Sequence, residues 1–161
     1  MNNIIQVDYV KDDISDFFLD KLEYLKSDKK FYQKVRNMKG EYFGSVNLLP
    51  SADNEFYTYL DMIKKKAEGV ISRLLTHHYT HMLDYTKGGH LKQHNHKHAE
   101  DYTSILYLND TDDGSTFFII NDKRYEILPE KNKLIMYPSE IEHGSNYSRS
   151  KKVLVSGYRY D

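Results

Sequence analysis

Residues 88–110 read GGHLKQHNHKHAEDYTSILYLND, and how this stretch folds decides the architecture. Gly88–Gly89 opens it as a turn, a histidine-rich run follows, and Tyr102–Asn109 closes it with residues that favour a pleated strand. Of the eight histidines in the chain, seven lie between His77 and His98. His94 and His96 are two residues apart, and successive side chains on a strand alternate faces, so a strand here points both imidazoles the same way. His98 keeps that parity as far as the strand persists. Working outward, the same β-rich pattern predicts strands at His77–Tyr85, His90–His96, Tyr102–Asn109 and Ser115–Asn121. It continues through Arg124–Leu128, Lys133–Tyr137, Glu142–Tyr147 and Lys152–Tyr160. Asp112–Asp113–Gly114, and Pro129 with Asn132, supply further turns. Eight short strands in about 85 residues predict a compact β-sandwich or barrel.

Upstream the period changes. Ile14, Phe17, Phe18, Leu22 and Leu25 recur at helical spacing from about Lys11 to Leu25. Phe56, Leu60, Ile63, Ala67, Ile71 and Leu74 form a second stripe from about Asp53 to Leu74, with Asp53 or Ser51 as its N-cap. Lys64–Lys65–Lys66 reads as the solvated side of that helix, and Gly40–Gly44 as a loop or short strand. The expected organisation is one domain over residues 1–161, α+β but mainly β. Its helical first part (1–76) covers one outer face of the β-core (77–161).

A third histidine stands 47 residues after His96, in YPSEIEHGSNYS, where a returning strand can bring His143 opposite the first two. Two imidazoles from one strand and one from a distant strand describe one face of an octahedron. The remaining positions stay open, which is the arrangement of non-haem Fe(II) oxygenases. His77, His78, His81 and His90 read as structural or surface residues.

The composition narrows the chemistry. With no cysteine, thiolate nucleophiles, disulfides and Cys-ligated metals are excluded. The 23 Lys+Arg against 24 Asp+Glu give no electrostatic case for a nucleic-acid or anionic membrane partner. The longest large apolar run is Phe117–Ile120, far short of the ~20 residues a helical span needs. The N-terminus, MNNIIQVDYVKDD, lacks the basic start and apolar stretch of a signal peptide, so a cytoplasmic location is expected. NDTDDGSTFFII imitates a calcium loop, but its twelfth residue is Ile120 rather than Glu.

From about Met82 to Asp161 the chain resembles the 2-oxoglutarate/Fe(II)-dependent dioxygenases, in particular their small prolyl-hydroxylase-like members. The resemblance is carried in order by MLDYTKGGHLKQHNH, SILYLND, a turn with Gly114, ILPEKNKLIMYPSEIEH and KKVLVSGYRYD. It implies a double-stranded β-helix (jelly roll) and an enzyme that hydroxylates an organic substrate using Fe(II), 2-oxoglutarate and O2. A prolyl residue in a peptide is the first substrate expectation, a small molecule the next.

By the same resemblance His94 and His143 are iron ligands, and His96 takes the place of a carboxylate ligand. Two alternatives stay open for that third ligand: His98–Ala99–Glu100 as a shifted H-x-E, or Glu100 joining His94 and His96 in a cupin-like H-x-H-x3-E. Lys152, nine residues after His143, matches the basic group that anchors 2-oxoglutarate, with Lys151 and Arg149 as substitutes. Tyr107 and Tyr85 match tyrosines near the cosubstrate, and Tyr79, Tyr102 and Tyr147 are candidates for the mouth. A cupin-type metalloenzyme and a non-catalytic metal- or ligand-binding barrel are the competing functional readings.

Overall fold

Adjacent residues on the β-strands bury into different cores, and this alternation sets up the whole molecule. In the computed structural model, which describes residues 4–161, the chain runs through β1 (Gln6–Tyr9), α1 (Asp12–Lys26), β2 (Met38–Lys39), β3 (Tyr42–Gly44) and α2 (Asn54–Ile71). Then follow β4 (Leu75–Tyr85), β5 (Gly89–His94), β6 (Tyr102–Tyr107), β7 (Thr116–Ile120), β8 (Lys123–Ile127), β9 (Lys133–Pro138), β10 (Glu142–Ser148) and β11 (Lys152–Tyr160). The strands form a six-stranded sheet, ordered β1-β9-β6-β11-β4-β3, and a five-stranded one, ordered β2-β5-β10-β7-β8. All the strand pairs are antiparallel. From β4 to β11 the chain passes repeatedly between the two sheets, giving a double-stranded β-helix.

On the six-stranded sheet Met82, Leu106, Leu134, Met136 and Leu154 point outward and join the helices in one apolar core. Their neighbours Leu83, Ile105, Ile135, Tyr137 and Val153 point inward and meet Phe118, Ile120 and Ile127 of the second sheet. The helices are amphipathic in the same sense. α1 buries Ile14, Phe18, Leu22 and Leu25, and α2 buries Phe56, Leu60, Ile63 and Ala67. Phe18 and Phe56 meet edge to face, ring centroids 5.5 Å apart. Asp53 caps α2 by accepting from Phe56 N at 2.9 Å. The helix stops at Ile71 rather than Leu74 because Ser72 takes the left-handed conformation (φ 52°).

Each of the eight strands read from the sequence is present, with ends shifted by a few residues. Residues 4–76 add three short ones: β1 and β3 extend the larger sheet at its two edges, and β2 extends the smaller. An edge strand such as β1, whose pattern is one half-buried residue and three exposed, carries no apolar alternation by which a sequence would betray it. A two-residue hairpin of Asn121 and Asp122, both at positive φ, turns β7 into β8.

Candidate active site

Strand register brings two of the predicted ligands together. β5 and β10 pair with His94 directly opposite His143, so both rings lie on the same face, between the sheets. His96 arrives differently from the expectation, because β5 ends at His94. The chain then leaves the sheet in a turn, held by His96 N donating to Ser139 O at 2.8 Å. The ring nevertheless returns to the cluster. The three rings have centroids 4.4–5.1 Å apart, and one nitrogen from each lies within 4.8 Å of the other two. His98 is exposed and stays outside the cluster.

The ring partners fix two of the three tautomers. His94 Nδ1 donates to Lys92 O at 2.7 Å and His143 Nδ1 to Ile141 O at 2.9 Å; a carbonyl can only accept, so each Nδ1 carries the proton. His96 Nδ1 lies 3.2 Å from Glu100 Oε1, within ion-pair distance but not aligned as a hydrogen bond. Nε2 of His94 is therefore a bare lone pair, 2.9 Å from Nε2 of His96. With His96 in the same tautomer as His94, two lone pairs face each other at that distance and repel unless a cation lies between them. The spacing suits adjacent donors at ~2.1 Å from one ion, which stand ~3 Å apart. Burial holds the His143 imidazole down to about 3, with the nearby His94 adding to the effect, and burial likewise lowers His94. Both rings are neutral at physiological pH, the state a metal requires. The donor set fits a divalent metal with open positions, Fe(II) among them. Glu100 is not among the converging donors. Its carboxylate stands behind His96, so neither the cupin-like set nor the shifted H-x-E is assembled.

Two basic residues line the cavity, the exposed Arg36 and the buried Lys151. β11 pairs Lys152 opposite Asp84, on the outward-facing parity, and Lys152 Nζ lies 3.8 Å from Asp84 Oδ1. The other oxygen of Asp84 is 2.7 Å from Lys26 Nζ on α1. One residue earlier the parity is inverted. Lys151 is buried, 2% exposed, and donates to Ser145 Oγ at 2.7 Å and Gly114 O at 2.8 Å, with Thr116 Oγ1 at 3.4 Å. Its Nζ stands 4.8 Å from the ring centre of Tyr85 and 5.7 Å from that of Tyr107. All its hydrogen-bonding partners are neutral, and burial pulls the amine down to about 7. Arg149 is exposed at the β10–β11 turn, where its backbone N–H bonds Asp113.

Lys151, Tyr85, Ser145 and Thr116 share one cavity with the three histidines. Tyr107 is fully buried beneath it, its hydroxyl 2.5 Å from Thr116 Oγ1, and burial raises both Tyr107 and Tyr85, the latter to about 12. Of the mouth candidates only Tyr79 lines the cavity. Tyr102 packs in the helix-side core, and Tyr147 is exposed against the ring of His90. His81 is a cavity residue the sequence reading left as structural: it lines the wall between Tyr79 and Leu83, and burial lowers it to about 4. Its odd-numbered parity with Tyr85 was the available signal. An open cleft lined by Gln33, Lys34, Arg36, Asn37, Asn47 and Asn95 leads to His94 and His96.

The molecule is thus a double-stranded β-helix with a metal-competent histidine cluster and a buried amine between its sheets. Solved structures of the same fold include the prolyl-4-hydroxylase of Pseudomonas putida, with TM-score 0.74 and 12% identity over 98% of this chain and 93% of that one. HygX from Streptomyces hygroscopicus, solved with nickel and 2-oxoglutarate bound, gives 0.74 and 12% over 97% and 82%. The prolyl hydroxylase of Trichoplax adhaerens, in complex with a hypoxia-inducible-factor peptide, gives 0.76 and 14% over 98% and 84%. No protein-family model and no curated protein matches the sequence. The chain has the fold of the small prolyl-hydroxylase-like 2-oxoglutarate/Fe(II) oxygenases, and at these identities the likeness speaks for the fold alone.

Proposed function

We propose that this protein is an Fe(II)- and 2-oxoglutarate-dependent oxygenase that hydroxylates an organic substrate. The observation that carries the reading is a buried amine, Lys151, in the cavity of three metal-competent imidazoles, with only neutral hydrogen-bond partners. A buried cation is costly when unpaired, and an anionic cosubstrate supplies the partner. His94, His96 and His143 hold the metal. Lys151 takes the far carboxylate of 2-oxoglutarate, with Ser145 and Thr116 as hydroxyl partners and Tyr85 and Tyr107 as the wall beneath it. Bound together, Fe(II) and 2-oxoglutarate supply the activation of O2 and the oxidising power for hydroxylation. The balance is one substrate C–H, one O2 and one 2-oxoglutarate in, and one C–OH, one succinate and one CO2 out.

The chain's own work is arrangement. Nδ1 bonds to Lys92 O and Ile141 O keep Nε2 of His94 and His143 aimed inward. Leu83, Ile105, Val153 and Val155 keep the cosubstrate end of the cavity apolar. The open polar cleft admits substrate from the side of Asn37, Asn47 and Asn95. Peptidyl proline is the substrate class to try first, supported by the prolyl hydroxylases among the structural neighbours. Small molecules come second, since HygX has also been solved with hygromycin B bound.

The test is succinate release. Protein loaded anaerobically with Fe(II) and then given 2-oxoglutarate and air should form succinate and CO2. His143→Ala should remove both turnover and tight Fe(II) binding while the fold remains. An iron-loaded wild type that neither binds nor decarboxylates 2-oxoglutarate would overturn the reading.

A further inference from the structure

The Glu100 side chain is fully buried, and its Oε1, which has no hydrogen-bond partner, lies 3.2 Å from Nδ1 of His96, the ring nitrogen turned away from the metal cluster. His94 and His143 spend the equivalent nitrogen on backbone carbonyls, so of the three ligands His96 alone has an anion behind it. The placement is built from several directions. Ala99 and Glu100 donate backbone N–H groups to His96 O at 2.9 and 3.1 Å, closing a turn that brings the carboxylate back to the His96 ring. Glu100 Oε2 accepts from Thr103 Oγ1 at 3.3 Å, and Thr103 Oγ1 is bonded to Ser139 Oγ at 2.6 Å. Gly157 on β11 makes the room: a Cβ there would lie 1.8 Å from Oε2.

Among the described residues no lysine or arginine pairs with Glu100, and a buried carboxylate without a cation is expensive. A divalent ion held by three neutral imidazoles has the opposite problem, since its whole charge stays uncompensated inside the protein. The two charges face each other across a single aromatic ring. We propose that Glu100 is a positioning residue for the metal: it holds His96 as the Nδ1–H tautomer with Nε2 inward and passes negative charge to the ion through the imidazole. The inference rests on the metal site proposed above. It explains why position 96 tolerates a neutral ligand, because the carboxylate has been moved one ring away rather than lost. Hydrogen-bonded carboxylates behind ligating imidazoles raise ligand basicity and are worth ~10–100-fold in metal affinity.

The experiment uses the full chain and Co(II) as probe, read by competition with a chelating indicator and by proton NMR of the paramagnetically shifted ring N–H groups. Glu100→Gln keeps an acceptor oxygen of the same length and removes only the charge. Expected are a ~10–100-fold loss of Co(II) affinity and a moved resonance for the His96 N–H alone, with an unchanged circular dichroism spectrum. A folded Glu100→Gln protein with wild-type affinity and an unmoved His96 resonance overturns this inference and leaves the metal site standing. Failure of the wild type to take up Co(II) overturns the metal site and this inference together. Should the variant not fold, the wild-type spectrum decides. A slowly exchanging His96 N–H, distinct from those of His94 and His143, is required, and its absence overturns the proposal.

Discussion

The two faces of the six-stranded sheet are made from alternate residues of the same strands, yet they have become different materials. The outward face presents Met82, Leu106, Leu134, Met136 and Leu154 to the helices; its few polar groups are paired, Thr80 with Ser156, Ser104 with Tyr158 and, at the rim, Asp84 with Lys26 and Lys152. The inward face carries Tyr79, His81, Tyr85, Tyr137 and Lys151 around a space left unfilled. The outward face gains stability from burial, at about 25 cal/mol per Å² of apolar surface removed from water. The inward face gives some of that up, because a buried amine lowered to about 7 and an imidazole lowered to about 4 mark groups held where water would suit them better. The lesson is a division of labour at single-residue resolution. One side of each strand holds the protein together so that the other can afford polar groups in a dry cavity.

The comparison breaks most forcefully on the helix side. Phe18 is fully buried between α1, α2 and the sheet, and Phe18→Ala should cost ~3–5 kcal/mol of unfolding free energy. Chemical denaturation measures it. Co(II) affinity of the remaining folded protein should stay at the wild-type value; a parallel loss would mean that the two faces are not independent.

Adjacent lysines sharpen the contrast next. Lys151→Met should weaken 2-oxoglutarate binding by ~2–5 kcal/mol, the cost of removing one partner of a buried charge pair, while leaving metal uptake intact. Lys152→Ala should change stability by no more than ~1 kcal/mol, since its ion pair is partly exposed and Asp84 keeps Lys26. Calorimetric titration of both variants decides, and equal loss of cosubstrate in the two would sink the assignment to Lys151.

A smaller effect separates the faces by pH. The Lys151 amine is held at about 7 in the folded protein against 10.5 ordinarily, so between those values the unfolded chain binds the extra proton. Its burial penalty is complete below pH 7 and is relieved as pH rises, so the cofactor-free protein should gain stability from pH 7 to 9. The cosubstrate needs the charged amine, so its affinity should fall over the same interval, with proton uptake on binding. In thermal melts the cofactor-free protein should gain stability with pH while the increment added by 2-oxoglutarate shrinks, and Lys151→Met should flatten both.

Much of this was readable from residue order. The spacing of His94 and His96, the distant His143, the eight β-segments and the two apolar helical stripes are periodic signals, and periodicity is a property of the chain itself. Tertiary structure decided the rest. A strand's alternation says that Lys151 and Lys152 face opposite ways but not which way is inward; pairing with β4 settles that, since a slip of one residue exchanges the faces. The same holds for His81, whose inward parity acquires meaning only once the second sheet closes over it. Glu100 was legible as a neighbour of the histidines but not as the group behind His96, because that depends on where a turn outside the sheet folds back, and on Gly157 leaving space for it from a strand 57 residues away in sequence. Periodicity is local, whereas inside and outside are relations between distant segments, and these exist only after the chain has packed.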